Sequence, residues 1–247
     1  MRRLAIVAGF AIGLGATASG CATSSSGGAS PQDTAFYGGT IIVTAQAGQS
    51  TLPLSKIGEI KNVAGVKTAF PTYRFDAKTG VVESTGVATS DEIVASDPTE
   101  AAWSSLRTNY AQGHAIDADS SGEVVLGTTI AQELKKTVGD TVDLPIGATG
   151  GAVGHSFKVV GVLDVTHSGP DHFAYVNITD GQMLLKDSLP AAQRDNVDVN
   201  TVATAIDVYA KSGTSVTDLD RIADQINKKV PGVKAIKPSE LLASVKS

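Results

Sequence analysis

The sequence predicts an α+β fold, and three observations carry that prediction. Residues 40–70 read as apolar strand, amphipathic helix and strand, with Gly65-Val66-Lys67 leading into the second strand. Residues 203–236 repeat the order and pass from helix to strand through Gly232-Val233-Lys234. The central stretch 122–164, GEVVLGTTIAQELKKTVGDTVDLPIGATGGAVGHSFKVVGVLD, reads as strand, short helix, Gly139-Asp140 turn and two strands around a glycine-rich tip. Two strand–helix–strand units near opposite ends imply a βαβ pair sharing one sheet, with both helices on one face.

Each element has a local reason. A strand is expected at 40–44, then a helix at 54–62 with Leu54, Ile57 and Ile60 apolar, then a strand at 66–70. Residues 81–88 read as strand, and 99–111 as a helix with Ala102, Trp103, Leu106 and Tyr110 on one face, Trp103 in the core. Strand 124–126, helix 129–137 and strands 141–144 and 157–163 follow. A strand at 173–178 leads to a short helix that Asp180 is expected to cap, carrying Met183, Leu184 and Leu185. In strand 203–209, alternation sets Ile206, Val208 and Ala210 on one face. Helix 216–230 places Leu219, Ile222, Ala223, Ile226 and Val230 on one stripe. Glycine after each terminal helix supplies a left-handed cap, and Pro231 stops the second helix.

The N-terminus reads as an export signal over residues 1–20. Arg2 and Arg3 precede an uncharged run of alanine, glycine and aliphatic residues from 4 to 20. Ala18-Ser19-Gly20-Cys21, followed by a serine- and glycine-rich stretch, resembles a bacterial lipobox, with alanine where leucine is commonest. In such a motif the cysteine is acylated and becomes the mature N-terminus, so the expected lipidation site is Cys21. The partner it implies is a membrane, held through the lipid anchor. Ala16-Thr17-Ala18 also fits an ordinary cleavage site, and an uncleaved helix is a third option. Residues 21–37 are too poor in apolar groups to pack and read as a disordered tether.

The valine-leucine-glycine strand end at 125–127, the helix after it, the Gly139-Asp140 turn and the Val159-Val160-Gly161-Val162 strand together resemble the periplasmic core domain of MacB/FtsX-type ABC-transporter permeases. Gly113 resembles the family's glycine after the preceding helix, although His114 stands where arginine is frequent. The resemblance covers roughly residues 38–240. It implies a porter-like α+β subdomain from 38–117 and 186–240, split by a smaller β-rich subdomain inserted at 118–185. That insertion is expected to bud off as a lobe; a single continuous sheet joining it to both terminal units would contradict the expectation. The resemblance also implies an exported, non-enzymatic domain whose partners are an ABC-transporter permease or ATPase, or an envelope protein. No second spanning segment is read in the tail 237–247, and no Walker motif, so a free-standing accessory domain is expected.

Composition narrows the alternatives. A chain of 247 residues with 42% hydrophobic content can hold a globular core without cross-links. That matters because one cysteine excludes an intramolecular disulfide framework and any multi-cysteine metal site. The net charge of -5 is scattered, and no basic cluster with interleaved aromatics points to nucleic acid.

His167-Ser168-Gly169-Pro170-Asp171-His172 is the densest polar cluster, yet Gly-Pro divides it and no HExxH helix exists, so a polar turn explains it better than zinc. The glycine-rich 147–154 lacks a Gly-Lys-Ser/Thr ending and a following helix, which favours a hairpin tip over a phosphate cradle. Asp91/Glu92 and Asp117/Asp119 read as solvated loops, and Asn177-Ile178-Thr179 matches a glycosylation sequon only formally. No catalytic, cofactor-binding or metal-ligating residue is assigned. The rival class is a small-molecule-binding lipoprotein or cryptic hydrolase with its site between the subdomains, although the sequence offers no convergent polar set there.

Overall fold

The computed structural model describes residues 39–77, 91–104, 108–117, 119–148 and 151–245. Its first half-unit is β1 (Ile41–Ala45), helix α1 (Lys56–Lys61) and β3 (Val66–Asp76), with a two-residue strand β2 (Leu52–Pro53) before the helix. The matching unit near the C-terminus is β11 (Ala205–Ala210), helix α5 (Val216–Lys229) and β12 (Val233–Ala235). The strands interleave in the order β12-β1-β11-β3, every neighbouring pair antiparallel. Each βαβ unit therefore straddles a strand of the other, which is the split βαβ arrangement of ferredoxin-like folds.

Local chemistry fixes these elements. Ser215 caps α5, accepting from the Asp218 amide at 3.2 Å while its hydroxyl donates to the Asp218 carboxylate at 2.7 Å. Lys228 and Lys229 sit in the last turn, where the helix dipole favours cations. Gly65 and Gly232 take φ of 95° and 80° where the two helices turn into strands, as their positions imply. The α5 stripe of Leu219, Ile222, Ala223 and Ile226 is buried with Ile60 of α1 against Ile41, Val43, Ile206 and Val208. Strand β3 runs on through Pro71 to Asp76, beyond the expected end at Phe70. Its pairing with the next strand starts only at Thr72, so one side of Pro71 is unpaired.

That next strand is β4 (Glu92–Ser96), and beyond it the sheet continues without a break. It passes through β9 (Phe173–Val176), β6 (Glu123–Leu126) and β8 (Gly151–Leu163) to β5 (Tyr110–Gly113), while β7 (Thr141–Ala148) forms a hairpin with β8. The expectation of a lobe at 118–185 with its own sheet is therefore corrected. The reason is the open edge of β4, which takes β9 as a parallel partner from Glu92↔Phe173 to Ala95↔Val176. The mixed α+β class stands.

Packing divides what hydrogen bonding joins. A second core, on the same face as the first, buries Tyr73, Ile93, Ala95, Leu126, Phe157 and Val176. Helices α2 (Thr128–Glu133) and α3 (Ile178–Ser188) cover it, together with Val142, Leu144 and Ile146 of β7. Ala69 and Tyr73, an even number of residues apart on β3, serve the first and second core respectively. The Tyr73 hydroxyl donates to Val202 O at 3.0 Å, tying the second core to β10 (Val202–Ala203), which pairs with β2. A four-residue helix α4 (Ala191–Arg194) follows α3, and α6 (Pro238–Val245) closes the chain after β12.

Gly127, at the strand end after β6, is set by close approach. A Cβ there would lie 2.2 Å from Pro170 O, and the Gly127 amide donates to Phe173 O at 2.8 Å. Gly127→Ala is expected to destabilise by about 1–3 kcal/mol, read as a lower urea midpoint with unchanged slope.

Three further expectations are corrected. Residues 99–111 are not one helix: a 3₁₀ turn at Pro98–Ala102 is followed by β5, which pairs with the end of β8. Asp97 starts that turn, accepting from the Thr99 amide at 2.8 Å. Trp103 is 46% exposed rather than in the core. The cap of α3 is Asn177, which accepts from the Asp180 amide at 2.8 Å; Asp180 instead accepts from the Gly122 amide at 2.9 Å. The expected strand at 81–88 lies outside the described residues.

Candidate functional site

Among the described residues no α-helix packs on the sheet's other face across β1, β11, β3 and β4. Alternation that sends Ile41, Val43, Ile206 and Val208 to the first core sends Ile42, Asp207 and Tyr209 the opposite way. Val94, Tyr175 and Val125 continue that face through the paired positions Val94↔Tyr175 and Val125↔Tyr175. The 3₁₀ turn, with Thr108, Tyr110, Ala115, Ile116 and Asp117 at and around β5, borders a cavity of about 340 Å³ on that face. Its walls are mainly apolar, with Ile42, Val94, Val125, Leu163 and Phe173 among them.

At one end of the cavity stands a buried ionic cluster. Arg74 donates from Nη2 to Asp207 Oδ2 at 2.8 Å and from Nη1 to Glu92 Oε2 at 3.0 Å, and its guanidinium lies 5.8 Å from the Phe173 ring centroid. Glu100 reaches down from the 3₁₀ turn and accepts from the Tyr209 hydroxyl at 2.7 Å. Glu100 and Asp207 are 6% and 3% exposed, so neither carboxyl has water to spread its charge.

Three carboxyls therefore meet one guanidinium. Burial, and then the adjacent Asp207 carboxylate, push the Glu100 acid up to about 8. Glu100 Oε2 and Asp207 Oδ1 each lack a hydrogen-bond donor, although the two side chains are hydrogen-bonding neighbours. One proton held on Glu100 and donated to Asp207 satisfies both oxygens. Arg74 is held charged above its ordinary value by Asp207 and Glu92, which outweigh its desolvation. Burial first, and then the carboxyls, raise Tyr209.

The residues singled out in the sequence fall elsewhere. Cys21 lies outside the described residues. Asp171 is buried and accepts from the Thr166 and His167 amides, both at 2.8 Å, holding its own loop; His167 is exposed and His172 turns to Asp91 at 3.4 Å. Among the described residues no group of three His, Cys, Asp or Glu side chains is placed to hold a metal ion. Of the glycine-rich segment, Gly147 and Ala148 pair with Ala152 and Gly151 at the end of the β7–β8 ladder, and residues 149–150 lie outside the described residues. His114 is exposed, and Asp117 and Asp119 are too. Asp91 and Glu92 are not loop residues in solvent: Asp91 is buried and Glu92 opens β4 beside Arg74. Arg74, Glu100, Asp207 and Tyr209 are not among the residues the sequence singles out; the one signal available was a charge within the strand run Ala205–Ala210, Asp207, on the face opposite Ile206 and Val208.

Fold and site thus define a mixed-sheet α+β domain with two cores on one face and a buried ionic cavity on the other. Residues 4–238 match the family model described as the MacB-like periplasmic core domain, and the chain belongs to that family. Among solved structures it is similar to the periplasmic region of MacB from Actinobacillus actinomycetemcomitans, at 12% identity and TM-score 0.48, over 88% of this chain and 97% of that one. It is also similar to the extracellular domain of the noncanonic ABC-type transporter YknZ from Gram-positive bacteria, at 14% identity and TM-score 0.44, over 80% and 99%. A domain of a putative permease protein from Porphyromonas gingivalis follows at 14% identity and TM-score 0.37, over 79% and 86%. Comparison with curated proteins gives no match. Among the described residues no helix is long and apolar enough to cross a membrane.

Proposed function

We propose that this chain is a non-enzymatic, extracytoplasmic lipoprotein acting as an accessory or interaction component of an ABC-transporter system. The observation that carries the reading is the family match, which runs from residue 4 to residue 238. Acylation at Cys21 holds the domain at the membrane through the tether 21–37, and docking rather than a reaction is its role. On this reading the chain divides into a terminal unit, 38–117 with 186–240, and an inserted unit, 118–185; the first core draws on the terminal unit alone, while the second joins Tyr73, Ile93, Ala95, Leu189 and Ala203 to the inserted one. In this division the inserted unit offers a docking surface while the terminal unit stays by the membrane.

Two measurements test it. Crosslinking in intact membranes followed by purification is expected to recover a permease, an ATPase or an envelope protein; recovery of none removes the accessory role. Mass spectrometry of the mature N-terminus is expected to find a lipid-modified Cys21, absent in Cys21→Ser. An unmodified peptide starting at Ser19 ends the lipid-anchor reading.

A further inference from the structure

We propose that the cavity on the face opposite the two cores binds a small organic ammonium ion on an apolar body, its charge taking the place of the proton between Glu100 and Asp207. The inference stands independently of the transporter reading. Charge selects the sign of the ligand: Glu92, Asp207 and Glu100 face a single guanidinium, whose two terminal nitrogens are committed at 3.0 and 2.8 Å, and whose Nε, although without an acceptor, does not change the excess of carboxyls over cations. Glu100 Oε2 and Asp207 Oδ1 have no donor but the proton they share, and each belongs to a side chain that is more than nine-tenths buried and lines the cavity. Walls of Ile42, Val94, Val125, Leu163 and Phe173 suit the rest of such a molecule, and the volume of about 340 Å³ sets it at the small end of organic ligands.

The two oxygens are themselves inaccessible to solvent, on side chains that line the cavity. An ammonium meets them when the Glu100 carboxyl turns away from Asp207, a movement open to a side chain carried on a five-residue 3₁₀ turn. An N–H of the ammonium then donates to each carboxylate, and the Glu100 proton leaves to solvent. Charge is conserved, one cation replacing one proton. The groups that set this exchange are Arg74 on β3, Glu92 on β4, Tyr175 on β9, and Asp207 and Tyr209 on β11, with Asp97 and Asp117 also lining the cavity. Linkage then gives the pH dependence. While Glu100 is protonated and the amine is charged, affinity rises about tenfold per pH unit, and it levels off near pH 8, where Glu100 loses its proton unaided.

The test uses 2-phenylethylamine, with 2-phenylethanol as its neutral counterpart and calcium chloride as a bare cation, on the folded protein. Calorimetry in buffers of different ionisation enthalpy is expected to show release of about one proton per amine, with affinity about tenfold higher at pH 7 than at pH 6. Thermal unfolding is expected to shift upward with amine concentration and not with the alcohol. Glu100→Gln keeps shape and hydrogen bonds but has no proton to exchange. It is expected to retain the wild-type circular dichroism spectrum, to bind the amine at least tenfold more weakly and to release no proton. Equal binding of the alcohol, binding without proton release, an unchanged Glu100→Gln variant, stabilisation by calcium alone, or no binding of the amine each overturns the proposal.

Discussion

Arg74→Met is expected to destabilise the folded domain by about 3–5 kcal/mol at pH 7, the usual result of removing one partner from a buried ion pair. Methionine fills much of the arginine's volume, so packing loss is small and the effect is electrostatic. Without the guanidinium, Asp207 loses a donor at 2.8 Å while remaining 3% exposed, and Glu92 loses one at 3.0 Å. Acid relieves the variant, because protonating the abandoned carboxyls removes their desolvation penalty. Chemical denaturation of both proteins at pH 7 and pH 4 checks this: the gap should be wide at the first and narrow at the second. An equal gap at both values assigns the loss to packing.

Glu100 gives the second large effect, with a pH dependence unlike that of a salt-bridged acid. Its folded value of about 8 lies above its ordinary 4.5, so the folded state keeps a proton that the unfolded chain has released. The contribution is fully present below the unfolded value and is lost as pH rises through the window to the folded one. At about 1.4 kcal/mol per unit, the loss between pH 4.5 and 8 is at most about 5 kcal/mol. Glu100→Gln cannot titrate and keeps donors and an acceptor for Asp207 and Tyr209. Relative to wild type it is expected to be near neutral at pH 5 and more stable by several kcal/mol at pH 8. Parallel stability curves would place Glu100 in an ordinary, unshifted environment.

Much of the frame was legible because it is locally encoded. The α5 stripe, the alternation of β11 and the glycines at 65 and 232 each follow from period or backbone freedom within a few residues. The pairing of β4 with β9 was not legible. Parallel neighbours are joined by long connections, and no turn chemistry announces them, so the inserted segment read as a lobe. The site was harder still: Arg74 and Asp207 are 133 positions apart, and Glu100 joins them from a third element. Residues 99–111 have helical spacing, yet Asp97-Pro98 starts only a single 3₁₀ stretch, and Glu100 is drawn into the sheet instead of facing solvent. Only Asp207 left a trace, as a charge in an apolar strand.

The course of the backbone at the sheet's edge has a mechanical consequence. The Ile236 amide donates to Ile42 O at 2.8 Å, so the first and last strands of the chain, β1 and β12, lie side by side at one margin of the sheet. Strand β5 is the last of the path, but β7, paired to β8, bridges back to the end of β3 where Ala77 meets Ile146, so the run β3-β4-β9-β6-β8-β7 curls round on itself instead of lying flat. A force applied at β1 and β12 therefore reaches β8 by two routes, one through β4, β9 and β6 and the other through β7.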